Sequence, residues 1–407
     1  MENIKSVENL LLPGDFMGTI DLKDAFFLIP IHKDSKKYLR FQFQGQLYQF
    51  TCLPFGLNIS PLIFTKIIRV VVNILRKRGL KSIAYLDDLL CIAHRYTDCF
   101  YNLTETVKFF EYLGFIINYA KSNLMPNTSC KYLGLMLNST KYTIELTEDK
   151  KRNLLDLLNK IRAKMNCSLY DFSKLLGKLI FACQGVEYGL LYTRIMEHEK
   201  TKALIQNNGN FKGTILITDS IKHDINWWIS RLSTPCNRSI KNFNFETKIY
   251  TDASNNGWGA TQGENKVYGF WNAQQKQWHI NFKELMAIKL ALSALVPKIK
   301  NSEILLRVDN TTAIAYINRM GGTRHMAYNK LAREIWQWAE ENNNYLVASY
   351  IPSLENKEAD RLSRLHNIDI EWELNDIYFN KITRRFGTPE IDLFATYKNA
   401  KCNKFIS

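Results

Sequence analysis

The stretch SIAYLDDLLCIAH, from Ser82 to His94, places two adjacent aspartates, Asp87 and Asp88, between two apolar runs that are typical of β-strands. Two carboxylates side by side repel each other, and burying either of them is costly. One explanation is structural, because an Asp pair at the tip of a hairpin can form a solvated turn. The other is chemical, because divalent cations such as Mg²⁺ prefer carboxylate oxygens as ligands. The remaining sequence has to distinguish the two.

The composition is that of a basic globular protein. Among 407 residues, 54 Lys and Arg stand against 39 Asp and Glu, which gives a formal net charge of +15, and 46% of the residues are hydrophobic. A chain of this length predicts two or three domains, and its charge favours polyanions such as nucleic acid as partners. A merely solvated basic surface is the alternative, because the sequence has no long Lys/Arg tract.

The spacing of the cysteines and the hydropathy of the chain indicate the cellular compartment in which the protein functions. The eight cysteines include no CxxC pair, so neither a zinc ribbon nor a disulfide framework is indicated. No signal peptide opens the chain, and the most apolar helical stretch, residues 62–75, is interrupted by Lys66, Arg69 and Asn73. We therefore expect an intracellular protein, cytoplasmic or nuclear, that has no membrane partner.

The apolar pattern predicts an α+β fold. Strands and helices alternate irregularly up to residue 146, and one helix is expected from Pro61 to Arg78 with Ser60 as its N-cap. Residues 147–232 have helical periodicity, and residues 233–247 lack any period and are interpreted as a linker. Strands and helices then resume as a second α/β region.

Two sets of carboxylates follow apolar, strand-like segments. If neighbouring strands carry Asp21 and the Asp87–Asp88 pair, three carboxylates meet at one sheet edge, where divalent cations would neutralise them. Two such ions about 4 Å apart stabilise the attacking and leaving oxygens of a phosphoryl transfer. The second set of acids also adjoins apolar segments and consists of Asp252, Glu284, Asp309 and Asp360.

Capping offers an alternative reading of the second set. Asn281 stands three residues before Glu284, the spacing of an N-cap and an N3 acid, in a helix predicted from Asn281 to Leu295. Asn310, directly after Asp309, is also a candidate cap.

Five motifs together resemble a known family. In order and approximate spacing they match the palm motifs of retroelement reverse transcriptases, and they read TIDLKDAFF (19–27), LPFGLNISP (53–61), YLDD (85–88), AKSNL (120–124) and KYLGLMLN (131–138). The resemblance implies a polymerase palm with largely missing fingers, a helical thumb or connection, and then a ribonuclease H-like α/β domain. It implies that Asp21 and Asp87 bind metal, with Asp88 as their neighbour.

The same resemblance implies roles around the nucleotide. Phe26 falls where the family places an aromatic gate against a ribonucleotide 2′-OH, and Phe55 and Gly56 match a turn near the incoming base and template. Lys121 matches a basic residue that protonates the departing pyrophosphate. Without the motifs, Phe26 would be interpreted as an ordinary core residue beside Phe27, and Lys121 as a solvated side chain.

The second set of acids resembles the D-E-D-D set of ribonuclease H, which uses two metals to cleave the RNA strand of a hybrid. One position departs from that pattern. Tyr350 stands where the family often has a histidine, and Ser353 stands at the usual glycine, while Asn356 and Asp360 are retained. Since that histidine assists turnover rather than supplying metal charge, we expect reduced activity.

The resemblance gives a domain plan and an affiliation. The expected regions are a palm with partial fingers (1–146), a helical thumb or connection (147–232), a linker (233–247), a ribonuclease H-like domain (248–366) and a truncated C-terminal extension (367–407). The segment from Phe386 onward resembles the one that follows ribonuclease H in DIRS-like tyrosine-recombinase retrotransposons. Only twenty residues precede Asp21, so an N-terminally truncated fragment is expected.

The leading hypothesis is a retrotransposon RNA-directed DNA polymerase with ribonuclease H activity. Its expected partners are an RNA template, a DNA primer, the RNA–DNA hybrid and dNTPs, and its expected cofactor is Mg²⁺, two ions per active site, with Mn²⁺ as an alternative. The other hypothesis is a catalytically inactive nucleic-acid-binding remnant of such a polyprotein. Basic faces at residues 150–164 and 319–330 could contact phosphate, or could be solvated helix faces.

Overall fold

The computed structural model describes residues 2–241, 243–365, 373–393, 395–396 and 399–406. Its α-helices are α1 (Ile4–Leu10), α2 (Ser60–Lys77), α3 (Tyr96–Tyr112), α4 (Glu148–Arg162), α5 (Leu169–Ala182), α6 (Arg194–Gln206), α7 (Asp219–Ser233), α8 (Ala273–Lys276), α9 (Ile280–Leu295), α10 (Thr311–Asn318), α11 (Met326–Glu341), α12 (Lys357–Ser363) and α13 (Asp376–Phe386). Three 3₁₀ helices span Ala25–Leu28, Lys33–Leu39 and Gly189–Thr193.

The first thirteen strands are β1 (Phe16–Lys23), β2 (Arg40–Phe43), β3 (Gln46–Gln49), β4 (Lys81–Tyr85), β5 (Asp88–Ala93), β6 (Ile116–Ile117), β7 (Asn123–Asn127), β8 (Ser129–Tyr132), β9 (Leu135–Asn138), β10 (Thr143–Leu146), β11 (Asn166–Ser168), β12 (Thr214–Leu216) and β13 (Arg238–Ser239). The remaining strands are β14 (Thr247–Ala253), β15 (Gly257–Gln262), β16 (Asn265–Phe270), β17 (Glu303–Val308), β18 (Tyr345–Tyr350), β19 (Asp392–Leu393) and β20 (Phe405–Ile406). This mixture of helices and strands confirms the predicted α+β class.

The chain forms two compact units. One comprises Met1–Lys248 and Lys298–Tyr350, and the other comprises Ile249–Pro297 and Ile351–Ser407. The domain boundaries expected from the sequence stay predictions, and the one between residues 366 and 367 lies outside the described residues.

A sheet with the strand order β4-β5-β1-β6 is the centre of the first unit. Alternation along a strand sends successive side chains to opposite faces of the sheet. One face packs against α2 and α3 in a core that includes Ile20, Leu22, Leu89, Cys91, Phe64, Ile68, Leu103 and Phe110. Each large apolar side chain buried there contributes about 1.5–3 kcal/mol. The opposite face carries Asp21 and Asp88, which leaves the carboxylates outside the core.

A second antiparallel sheet in this unit has the order β13-β10-β9-β8. Its hairpin between β8 and β9 turns through Leu133 and Gly134, both with positive φ. Its outer strand β13 comes from residues 238–239, so part of the predicted linker pairs with β10.

Two helix starts differ from the sequence prediction. Ser60 is the first residue of α2 rather than its cap, and its buried hydroxyl donates a hydrogen bond to the Pro54 carbonyl at 2.9 Å. Helix α9 begins at Ile280, and His279 is its N-cap, with Nδ1 accepting from the Asn281 amide. Glu284 is therefore not the partner of an Asn281 cap, and the capping explanation for this acid is wrong.

The later part of the first unit joins helices from distant parts of the chain. Strands β17 and β18 pair in parallel. Arg333 of α11 forms two hydrogen bonds with Asp224 of α7, whose side chain is 0% exposed. Glu340 accepts hydrogen bonds from the Tyr192 hydroxyl and the Trp227 indole. These contacts hold α11 against α7 with a buried ion pair.

In the second unit, β14, β15 and β16 form an antiparallel meander. Gly259 of β15 permits close packing of α12, because a Cβ there would lie 2.5 Å from that of Leu362. Helix α9 packs on the same meander through Ala287. None of the helices in the described ranges is long and apolar enough to span a membrane.

Gly18 and Gly177 give opposite expectations for the same substitution. A Cβ at Gly18 of β1 would lie 2.9 Å from the Asn123 carbonyl oxygen, whereas a Cβ at Gly177 of α5 would have no atom within 4 Å. We expect Gly18→Ala to lower the free energy of unfolding by about 1–3 kcal/mol through overpacking. We expect Gly177→Ala to raise it by about 0.5–1 kcal/mol through helix propensity. Chemical denaturation monitored by circular dichroism measures both, and equal effects would contradict the packing of β1.

Candidate active site

The pairing of β1 with β5 determines which carboxylates meet. In this antiparallel register, Asp21 is directly opposite Asp88, and Ile20 is opposite Leu89. Directly opposed residues project from the same face with their Cβ atoms about 5 Å apart. Two acids that are 67 positions apart in sequence therefore become cross-strand neighbours on the face that the apolar core leaves open.

Asp87 lies in the tight turn between β4 and β5. Tyr85 pairs with Asp88, so Leu86 and Asp87 form a two-residue loop, and Leu86 has φ +53°. A left-handed conformation costs a non-glycine residue about 1–2 kcal/mol. The Leu22 amide donates to the Asp87 carbonyl at 2.9 Å, which ties this turn to β1. The Asp87 side chain is exposed.

The three carboxylates are not equally close. Among the described residues, they do not form a group with ligand oxygens all within 4.8 Å of one another. Asp21 and Asp88 line one cavity of about 800 Å³. Asp87 does not line it, because its side chain is exposed in the turn between β4 and β5. The cross-strand pair is therefore the structural centre of the site.

Two hydrogen bonds that the sequence motifs did not predict hold the Asp21 backbone. The Ser122 hydroxyl accepts from the Asp21 amide at 3.0 Å and donates to the Asn118 carbonyl at 2.8 Å. The Asn118 amide donates to the Asp21 carbonyl at 2.8 Å. Ser122 directly follows Lys121 in the AKSNL motif. Its place in that motif was the only signal in the sequence that could have indicated a position near Asp21. The Tyr132 hydroxyl similarly donates to the Asp88 carbonyl at 3.4 Å.

Asp88 carries the electrostatic cost of the arrangement. Burial, followed by the neighbouring charges of Asp87 and Asp21, raises the pKa of this carboxyl to about 6, although Lys121 acts to lower it. The repulsion inferred from the sequence is therefore present in the fold. Carboxylates whose mutual repulsion a nearby lysine only partly offsets are the property expected of a site for divalent cations.

The predicted nucleotide-contacting residues lie in two places. Lys121 lines the cavity with Asp21 and Asp88. Phe26 does not line it and packs instead in an aromatic cluster, with ring centroids 5.2 Å from Phe55 and 5.0 Å from Phe64. Phe55 is 64% exposed, and Gly56 has φ +84°, a conformation that favours glycine.

In the second unit, Asp252 and Glu284 form a buried acidic pair. Asp252 is in β14 and Glu284 in α9, with exposures of 4% and 3%. Their carboxylates offer ligand oxygens within 4.8 Å of each other. Glu284 accepts from the Ala253 amide at 3.3 Å, and Asp252 accepts from the Ser363 hydroxyl at 2.6 Å. Two buried carboxylates at this separation fit a hard divalent cation.

Asp360 lies in α12, one helical turn before Ser363, and its carboxylate forms an ion pair with Arg364. Its carboxylate accepts from Arg364 Nε at 2.8 Å, and its backbone carbonyl accepts from the Ser363 hydroxyl. Ser363 therefore links Asp252 to α12, a role that no sequence motif indicated. Asn356, the N-cap residue of α12, donates to the Thr251 carbonyl at 2.9 Å and holds this helix beside β14.

Asp309 and Tyr350 belong to the first unit. Asp309 directly follows β17 and is half-buried. Asn310 is the N-cap of α10 and accepts from the Ala313 amide at 3.0 Å, as the capping alternative predicted. Tyr350 ends β18 and is 54% exposed.

Known proteins share this sequence pattern. Residues 11–137 match the family described as reverse transcriptase (RNA-dependent DNA polymerase). The chain is 22% identical over 392 residues to the enzymatic polyprotein of Figwort mosaic virus (strain DxS), covering 90% of this chain and 53% of the polyprotein. It is 37% identical over 109 residues to the Gag-Pol polyprotein of Walleye dermal sarcoma virus, covering 26% of this chain and 6% of that protein. The chain spans about half the length of the Figwort mosaic virus relative.

Solved structures share the fold. A foamy viral protease-reverse transcriptase in complex with RNA/DNA hybrid aligns with a TM-score of 0.50 and 17% identity, over 91% of this chain and 48% of that chain. The same kind of protein in complex with dsDNA aligns with a TM-score of 0.51 and 18% identity, over 87% and 71%. At such identities the likeness concerns the fold alone, and it agrees with the expected polymerase palm within an α+β fold. The match over residues 11–137, which include Asp21 and Asp88, assigns this region of the chain to a reverse transcriptase domain of the type found in retroelement and viral polyproteins.

Proposed function

We propose that this chain is an RNA-directed DNA polymerase of a retroelement. The observation that carries the proposal is the register that sets Asp21 opposite Asp88 in a cavity, beside the strained turn that presents Asp87. The substrates are then a DNA primer on an RNA template and dNTPs. The primer 3′-oxygen attacks the α-phosphorus of the dNTP, a phosphodiester bond forms, and pyrophosphate leaves.

The three aspartates suit Mg²⁺ or Mn²⁺ ions, because their donors are hard oxygens and their mutual repulsion raises the pKa of Asp88. When bound, these ions would supply the positive charge that stabilises the attacking and leaving oxygens. Asp21 and Asp88 on the open sheet face, with Asp87 in the adjoining turn, would hold the ions, and Lys121 would protonate the leaving pyrophosphate. Phe26 would restrict the sugar to a deoxyribose, and its packing against Phe55 and Phe64 fixes the ring that does so.

We further propose that the chain cleaves the RNA strand of an RNA–DNA hybrid. The buried pair of Asp252 and Glu284 supports this proposal, because it offers oxygens for a divalent cation. The motif resemblance assigns Asp309 and Asp360 to the same activity. The exposed Tyr350, in place of the family histidine, makes slow turnover the expected outcome.

Affiliation and localisation are also proposals. The sequence from Phe386 onward supports a DIRS-like retrotransposon as the source, although residues 394, 397–398 and 407 lie outside the described part. An intracellular location, in the cytoplasm or the nucleus, is where an RNA template and dNTPs would be available.

Polymerase activity is tested by primer extension. We expect the chain to extend a DNA primer on an RNA template in Mg²⁺, and we expect Asp21→Asn to reduce the rate by at least about 100-fold, since metal-held charge is worth several kcal/mol. Asp219→Asn, a change of the same chemistry at a fully exposed residue of α7, should retain the wild-type rate. Hybrid binding without extension in any metal would favour the inactive nucleic-acid-binding remnant.

The raised pKa of Asp88 gives a pH dependence with a defined sign. Because its pKa in the fold, about 6, lies above the ordinary 3.8, the folded protein binds this proton more tightly than the unfolded chain does. Without metal, the free energy of unfolding should therefore fall as the pH rises from about 4 to 6. Added Mg²⁺ should restore stability above pH 6 and have little effect at pH 5, where the carboxyl is protonated.

Denaturation curves at pH 5 and 7.5, with Mg²⁺ or chelator, measure this effect. Asp88→Asn should be more stable than the wild type in chelator at pH 7.5 and should lose the response to Mg²⁺. Asp219→Asn again serves as the matched control. A variant Asp88→Asn that keeps the wild-type pH profile would contradict the assignment of this charge.

Ribonuclease activity is tested on an RNA–DNA hybrid labelled on the RNA strand. We expect Mg²⁺-dependent cleavage that Glu284→Gln reduces by at least about 100-fold, because the change removes a metal-binding charge. Glu264→Gln, in the exposed turn before β16, is the matched control and should cleave normally. Equal cleavage by both variants would show that the acidic pair is not the site.

A further inference from the structure

A buried serine contacts the carboxylate of Asp252. Ser363, the last residue of α12, is 0% exposed, and its hydroxyl donates to Asp252 Oδ2 at 2.6 Å. Both residues belong to the second unit. Asp252 forms the buried acidic pair with Glu284, so Ser363 adjoins the oxygens that suit a divalent cation.

The Ser363 hydroxyl has two acceptors within reach but only one proton to donate. The second acceptor is the Asp360 carbonyl at 2.9 Å, one turn earlier in the same helix, which is a local bond that helical serines commonly form. The bond to Asp252 is shorter and has the length of a charge-assisted O–H···O⁻ hydrogen bond, about 2.5–2.7 Å. The carboxylate is therefore the preferred acceptor, and a local helical bond does not by itself explain the serine.

Gly259 brings α12 within reach of that carboxylate. This glycine lies directly opposite Asp252 in the pairing of β14 with β15. A Cβ at Gly259 would lie 2.6 Å from the Ala359 carbonyl oxygen and 2.8 Å from the Ser363 amide nitrogen, both in the backbone of α12. A side chain at this position would therefore push the helix away from the strand. Its absence lets the Ser363 hydroxyl reach Asp252.

Hydrogen bonds at both ends hold α12 beside β14 and the turn that follows it. Asn356, at the start of the helix, donates to the Thr251 carbonyl at 2.9 Å. At the end of the helix, the Ser363 carbonyl accepts from the Ser254 hydroxyl at 2.5 Å. Thr251 and Ser254 lie on either side of Asp252 along the chain. The backbone that carries the Ser363 hydroxyl is consequently fixed relative to the backbone that carries Asp252.

We propose that Ser363 is a positioning residue for Asp252 in the divalent-cation site of the second unit. This inference rests on the proposed ribonuclease function and adds to its site a residue that no motif assigned. By donating to Oδ2, the hydroxyl restrains rotation of the carboxylate about its Cβ–Cγ bond, so the orientation of Asp252 is set before a cation binds. Polar groups that orient a metal-binding side chain in this way typically contribute about 10–100-fold to metal affinity or activity.

Metal binding tests the proposal without catalysis. The full chain, carrying Asp21→Asn and Asp88→Asn so that the carboxylates of the first unit do not contribute, is titrated with Mn²⁺ alone, and free Mn²⁺ is measured by electron paramagnetic resonance. In this background, Glu284→Gln identifies the Mn²⁺ site of the second unit, because the change removes one of its charges. Ser363→Ala should weaken Mn²⁺ binding at that site about tenfold.

Two further variants make the metal titration specific for the hydroxyl. Ser363→Thr keeps the hydroxyl and should retain most of the Mn²⁺ affinity that Ser363→Ala loses. Ser293→Ala is the matched control, because it removes an exposed serine hydroxyl of α9 that donates only to the Lys289 carbonyl, and it should bind Mn²⁺ like its parent chain.

Cleavage kinetics separate positioning from stability. On an RNA–DNA hybrid in Mg²⁺, Ser363→Ala should lower kcat and kcat/KM by the same factor, about tenfold, and leave KM unchanged. The KM is expected to stay the same because a fully buried hydroxyl does not contact the hybrid. A purely structural role would instead lower the free energy of unfolding at an unchanged kcat per folded molecule, which circular dichroism at the assay temperature measures.

Gly259→Ala probes the same contact from the strand. Its methyl group would displace α12, so this variant should lose Mn²⁺ affinity although Asp252 and Ser363 are both retained. Combined with Ser363→Ala, it should cause little further loss, because the hydroxyl is already out of reach of the carboxylate. Circular dichroism checks that the variant folds, and the Ser363 variants test the proposal even if it does not.

Two results would overturn the proposal. One is a Ser363→Ala variant with the Mn²⁺ affinity and kcat of its parent chain. The other is a pair of effects, from Gly259→Ala and Ser363→Ala, that simply add in the double variant. Failure of the ribonuclease is a separate outcome: a chain whose Mn²⁺ affinity depends on the Ser363 hydroxyl but that never cleaves the hybrid would support the positioning role and contradict the proposed activity.

Discussion

The antiparallel pairing of β1 with β5 is the constraint on which the first unit depends. The register of β1 and β5 brings the carboxylates of Asp21 and Asp88 together, and the same register directs Ile20 and Leu89 into the core. A slip of one residue would move the acids into the apolar face and the apolar residues out of it. The same strand register therefore determines both the packing of the core and the geometry of the site. The fold tolerates the repulsion between the carboxylates because core packing stabilises that register.

The strands and helices of the site were largely readable from sequence because their patterns are local. The hairpin around Asp87 and the helix that begins near Pro61 follow from apolar periodicity and capping signals. The sequence predicted that Asp21 would meet Asp87 and Asp88 if their strands were neighbours, but periodicity does not say which strands are neighbours. It did not specify the cross-strand pair of Asp21 and Asp88 that the register forms.

What the sequence did not reveal depends on contacts between distant residues. Ser122 at Asp21 and Ser363 at Asp252 are small polar residues whose roles arise from a neighbour about a hundred positions away. The cap of α9 was misassigned for a different reason: Asn281 is the commoner capping residue, but His279 occupies the extended position one residue before the helix. The helix therefore begins where the backbone leaves the extended conformation, even though His279 is a less common N-cap residue than asparagine.

The buried ion pair of Asp224 and Arg333 limits the exchange of single helices between related proteins by recombination. Removing one partner of such a pair leaves an isolated charge and typically costs about 3–5 kcal/mol, and here the acid is fully buried. Helices α7 and α11 are therefore poorly exchangeable one at a time between related polyproteins. A recombination event that divides the chain between residues 233 and 326 would separate the two partners, so lineages should transmit these segments together.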